Sequence, residues 1–353
     1  MNRVLLLLGV GICASGCFST RYLLQAAGGQ YELLHAAKPI SKVVEDSRVP
    51  PRTRHLLSQV KAIKRWGQTR GLKPTKNYDR YSDLGRPAAV WVVQACAPLS
   101  FDVRRWHFPI VGSVPYLGFF SEAPARAYAE QLAKDEGVDV AVRTASAYST
   151  LGWFRDPVLS TMIPEGDEAL GELANVILHE SVHATFYLPN QSAFNESAAS
   201  FVADGLTREL LDETFGQGAF PPRAWAKEQQ RGEVWAKRLH QTWEQLDALY
   251  QSDLPDPQKL AEKTRILTAV QAELGLRRPL NNASLAGSRT YQSGTEAFDA
   301  LRKNCDSWPR LLAALASLEE SDFPEPQQQK FDRVLEGLAR RRCGSSPPDL
   351  SNR

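Results

Sequence analysis

Apolar residues recur at three- and four-residue intervals through most of the chain, and the clearest run goes from Asp167 to about residue 186. Leu170, Leu173, Ala174 and Ile177 fall on one stripe there, as an amphipathic helix requires. Asp167 is placed to cap that helix, and His179 and His183 project from a neighbouring face. Pro189 and Asn190 then break the chain. Ser192 can cap a second helix, in which Glu196 leads Ala199, Val202 and Ala203. Upstream, residues 22–73 read as helices divided at Pro50-Pro51, with Leu56, Leu57, Val60 and Ile63 at helical spacing. The run Val90–Ala95 is β-branched and closes at Pro98, as a short buried strand does; Asp139–Arg143 is a second strand. Residues 108–120 mix aromatics with Pro and Gly and suit irregular or edge strands. Pro124–Glu136 reads as helix, and residues 147–153 lead to a turn at Asp156-Pro157. From Pro222 to Leu274 the pattern is long, charged and helical. Trp225, Trp235, Leu239, Trp243, Leu246 and Leu249 form a stripe expected to pack in the core. Asn281–Tyr291 is a loop or short helix, and residues 296–342 read as two helices divided near Phe323-Pro324. The expected fold class is α+β, mainly helical, with a small sheet beside the histidine helix.

The ends change the picture. Arg3, an apolar run and small residues before Cys17 form a secretory signal, too short to span a membrane. Ala14-Ser15-Gly16-Cys17 resembles a bacterial lipobox with alanine in place of the usual leucine. Cys17 would then be lipidated and begin the mature chain. Neither Phe18 nor Ser19 is the aspartate that retains lipoproteins at the inner membrane, so the expectation is an outer-membrane anchor facing the periplasm. A plain signal peptide with Cys17 incidental is the alternative. Residues 1–16 are thus read as leader and 17–343 as a single domain, with 222–343 a candidate helical subdomain. Residues 344–353 are a Ser/Pro-rich, disordered tail. A net charge of +2 gives no electrostatic case for a nucleic-acid partner. Of the five cysteines, Cys96 lies in an apolar run and reads as core, while Cys305 and Cys343 are a candidate disulfide pair in a compartment that permits one.

The chemistry concentrates at His179-Glu180-Ser181-Val182-His183, followed thirteen positions later by Glu196. Two histidines one helical turn apart can reach one ion, and Glu180 beside them can hold and deprotonate a water. Glu196 supplies a carboxylate for a third ligand. Two neutral nitrogens, one carboxylate and an open position describe a catalytic Zn²⁺ site. The bland reading is a pair of histidines packing in a core helix with Glu180 solvated.

With these residues laid out, the chain resembles a bacterial family of predicted aminopeptidases, zincin-like lipoproteins. The resemblance rests on Trp91-Val92-Val93, Trp106-His107-Phe108-Pro109, the block 147–153 with Asp156-Pro157, the HExxH motif, Phe194-Asn195-Glu196-Ser197 and Asn281-Asn282-Ala283. It implies a zinc metallopeptidase of the glutamate-ligand group, with a zincin-like domain acting on a peptide substrate. Family members tend to carry cysteines and an Arg-Gly in the block where His107, Ser113 and Leu117-Gly118 stand here, so that disulfide and that arginine are absent. Zinc held by His179, His183 and Glu196 with Glu180 as base would need a further donor for the developing oxyanion, and Tyr148 and Tyr291 are the candidates. Asn195 is placed to orient Glu196 or bind a substrate amine, its bland role being a hydrogen bond at the helix start. Glu172 and His107 are weaker candidates, expected to be solvated or packed. The reading is therefore a cell-envelope zinc peptidase. A zinc amidase of peptidoglycan peptides and a non-catalytic envelope binding lipoprotein are the alternatives.

Overall fold

The expected spacing delivers its helix almost where it was read, over Ala169–Thr185, and the partner helix follows over Ser192–Phe215. These will be called the histidine helix and the glutamate helix. The computed structural model describes residues 22–108, 112–147, 155–289, 294–328 and 330–344. They are mixed α+β and divide into two compact units built from separated stretches. One comprises residues 1–37, 82–148 and 241–287, the other 38–81, 149–240 and 288–353. Residues 222–343, read as a helical subdomain, are shared between the two.

In the first unit the strand Val90–Cys96 is buried along its whole length, which is why its sequence is apolar without alternation. It lies antiparallel between Leu117–Phe119 and Asp139–Ala145, with Val93 opposite both Leu117 and Val142. The helix Glu122–Glu136 lays Ala125, Ala129 and Leu132 in the same core and ends at Gly137 in a left-handed turn, φ 63°. A polar knot completes the unit. Lys263 donates to the Asp139 carboxylate at 2.5 Å and to the Pro98 carbonyl at 2.7 Å. The Asn282 amide donates to the carbonyls of Ala97, Pro98 and Ser100 and accepts from the Tyr250 hydroxyl. Every partner is satisfied, as a buried network must be.

The second unit holds the histidine and glutamate helices packed on each other, with the helix Pro51–Thr69 against the former. Its sheet is formed by Lys38–Pro39, Arg80–Ser82 and Val158–Leu159. The strands read from sequence belong to the other unit. The C-terminal segment has three helices where two were expected: Thr295–Cys305, Trp308–Leu315 and Asp332–Leu338, the last running on through a wider turn, Ala339–Cys343. Asp306 at φ 62° ends the first, and Pro309 in the first turn of the second restarts the chain. The pairing Cys305–Cys343 is formed. Pro255 and Pro257 likewise split the long helical stretch into Phe220–Gln251 and Asp256–Glu273. Its tryptophan stripe is only partly core. Trp225 and Leu246 are buried, but Trp235 is exposed beneath the Arg231 guanidinium.

Candidate metal centre

Burial of the histidine helix leaves one face for chemistry. Leu173, Ala174, Ile177, Leu178, Ser181 and Val182 are all buried, Leu170 only partly so, and His179, Glu180 and His183 lie on the half-buried side. The helix expected to be capped by Asp167 starts instead at Ala169, with no side-chain cap. Close packing holds its start: a Cβ on Gly171 would lie 2.3 Å from the Trp225 ring, so only glycine admits that indole. At its end, the Thr185 hydroxyl accepts the Lys73 amide at 2.9 Å. The turn runs through Asn190 at φ 57°.

The glutamate helix is seated by the two residues before Glu196. Phe194 is fully buried among Phe298, Phe323 and Phe331, with ring centroids 5.1–5.7 Å away. Asn195 accepts the Leu188 amide at 3.0 Å and donates to the Leu188 carbonyl at 2.8 Å. Buried and engaged at both ends, Asn195 clamps the turn between the two helices, as a hydrogen bond at the helix start would. Ser192 is not the cap. Gln191 precedes the first turn without a side-chain cap bond, and the Ser192 amide donates to the Gln327 side chain at 3.2 Å, a partner no local motif announces.

These supports bring three side chains together. His179 Nε2 and His183 Nε2 are 3.2 Å apart; Glu196 places Oε2 3.4 Å from the former and Oε1 3.6 Å from the latter. The ligand atoms all lie within 4.8 Å of one another. Burial and the neighbouring His179 charge hold His183 down to about 4, so its imidazole is neutral at ordinary pH. Burial also acts to lower His179. The hydrogen bond to Glu196 and the charges of Glu180, Glu196 and Asp204 outweigh it and raise the group. Two ring nitrogens and one carboxylate crowd together where a single cation would satisfy all three, and the nitrogen–oxygen donor set suits Zn²⁺.

Sequence reasoning missed Asp204. It stands two turns after Glu196 on the same helix, accepts the Asn175 amide at 2.8 Å, and is raised by burial while its charge reaches His179. The i+8 spacing from Glu196 was the available signal. Glu172, read as solvated, is half-buried and raised by burial, then by Glu228, Asp204 and Glu168. His107 is exposed on the strand Trp106–Phe108 of the other unit. Tyr148, Tyr291 and Cys17 lie outside the described residues.

No curated protein and no solved structure matches the chain. A family model does, over residues 21–330, and its description reads "Putative aminopeptidase". By that match, covering all of the histidine and glutamate helices, the chain belongs to this aminopeptidase family.

Proposed function

We propose that the chain is a zinc-dependent peptidase of the cell envelope, an aminopeptidase by the class its family suggests. The observation that carries the reading is the convergence of His179, His183 and Glu196, whose ligand atoms lie within 4.8 Å of one another. These three groups would hold Zn²⁺, which when bound acidifies water and polarises a peptide carbonyl. His183, held down to about 4, offers its lone pair without first losing a proton, and His179 Nε2 stands 3.4 Å from Glu196 Oε2. Glu180, next to His179 on the half-buried face, takes the proton of the attacking water and passes it to the leaving amine. The leader and Cys17 support an outer-membrane lipoprotein facing the periplasm.

Elemental mass spectrometry on the soluble chain from Phe18 onward tests the centre. About one zinc per chain is expected, lost in His183→Ala and Glu196→Ala. Glu180→Gln is expected to keep the metal and abolish hydrolysis of peptide substrates. Folded wild type that takes up no zinc would refute the reading.

A further inference from the structure

The helix over residues 22–35, in the first unit, has two unlike sides. Its inward side is tied to the sheet. The Gln25 amide donates to the Gly118 carbonyl at 3.0 Å, and the Gln25 side-chain oxygen accepts the Phe120 amide at 3.3 Å. The Tyr22 hydroxyl accepts the Gly118 amide at 3.0 Å, and its ring stacks on Phe108 with centroids 5.2 Å apart. The Phe120 ring lies so close over Gly29 that any side chain there would collide with it, and Leu33 is buried. The outward side repeats the same three- and four-residue spacing. Leu24, Ala27, Gly28, Tyr31 and His35 fall on one stripe, and all are exposed. Leu24 is 69% and Tyr31 65% exposed, with Leu23 on the flank at 40%. Among the described residues no large apolar side chain is more exposed than Leu24 and Tyr31. Glu32, on the other flank, is paired with Arg86 at 3.7 Å.

The place of the stripe in the chain says what covers it. Cys17 stands five positions before Tyr22, and five residues span at most about 18 Å however they run. A lipid on Cys17 therefore holds this helix within that reach of a bilayer surface. Arg21, next to the helix in sequence, adds a cation suited to anionic headgroups, and tyrosine is favoured at that boundary. We propose that Leu23, Leu24 and Tyr31 form a membrane-docking face that lies on a phospholipid bilayer, the leucines at the acyl boundary and Tyr31 among the headgroups. The acyl chains retain the protein, and the helix sets which side of the first unit meets the membrane. The proposal rests on the lipoprotein reading, since an acylated Cys17 is what brings the stripe to lipid.

The test uses the full lipoprotein isolated from membranes, with the acyl mass on Cys17 read by mass spectrometry. Leu24→Cys, Tyr31→Cys and Lys134→Cys each carry an environment-sensitive fluorophore in vesicles of phosphatidylethanolamine and phosphatidylglycerol. Cys96 is buried and Cys305 is bonded to Cys343, so the label goes to the introduced thiol. Lys134, at the far end of the helix Glu122–Glu136 from Phe120, is the aqueous reference. Emission at positions 24 and 31 is expected to shift to the blue and to be quenched several-fold more than at 134 by nitroxide-bearing acyl chains. Quenching no stronger at 24 and 31 than at 134, with Cys17 acylated, would overturn the docking face and leave the lipoprotein reading standing. Cys17 without acyl mass would overturn both.

Discussion

Both ends of one amide decide where Glu196 stands. Removing the Asn195 side chain leaves the Leu188 N–H and C=O without partners inside the protein. Asn195→Ala should therefore cost about 1–3 kcal/mol in chemical denaturation and weaken zinc uptake. Unchanged unfolding free energy would show that the turn holds without its clamp. Cys96 makes a second expectation at this scale. Burial and the Asp139 and Asp102 charges push its thiol up to about 12, so at pH 8 only about one part in ten thousand is thiolate. An alkylating reagent at that pH should leave the native protein unmodified and label it on unfolding; rapid native labelling would contradict the burial. The pair His179 and His183 was legible because helical geometry alone sets i and i+4 on one face. Asn195 was not, since its partner is a backbone group seven residues away, and backbone partners leave no trace in residue type.

Elements were legible in proportion to their length. The helix Pro51–Thr69 and the strand Val90–Cys96 follow their patterns closely because many residues repeat the same constraint. A small sheet beside the histidine helix was expected, but the strands Lys38–Pro39, Arg80–Ser82 and Val158–Leu159 were not located, since two- and three-residue strands are too short for alternation to show. Trp235 misled for the opposite reason. Its spacing suits a packing stripe, but residues 231–235 of the long helix are exposed. Contact between elements gives a sharper expectation at Gly171. A methyl there would overlap the Trp225 ring at 2.3 Å, and the indole cannot retreat without opening the core. Gly171→Ala should destabilise by about 1–3 kcal/mol on thermal unfolding, with much of the loss recovered when Trp225 is shortened to leucine. A neutral single substitution would mean that the two helices can slide apart freely.

Across the whole chain, residues distant in sequence finish each unit, and the disulfide is the strongest such tie. Cys305 and Cys343 close a loop of 38 residues, worth about 4 kcal/mol through the unfolded state. Cys305→Ser should lower the melting temperature accordingly, and wild type in reductant should fall to meet it. Equal melting with and without reductant would remove the bond from the stability of the fold. The pairing was legible as a candidate from the compartment implied by the leader, whereas the interleaving of the units was not, because no linker composition marks it. The nest of Phe298, Phe323 and Phe331 under Phe194 carries a consequence for timing. A chain emerging from the ribosome presents His179, Glu180, His183 and Glu196 long before the rings that seat the glutamate helix have been made. The three ligands therefore converge only near the end of synthesis. Under the export proposed above, that lateness would work as a safety catch, since a half-delivered chain would have nothing yet to cut with.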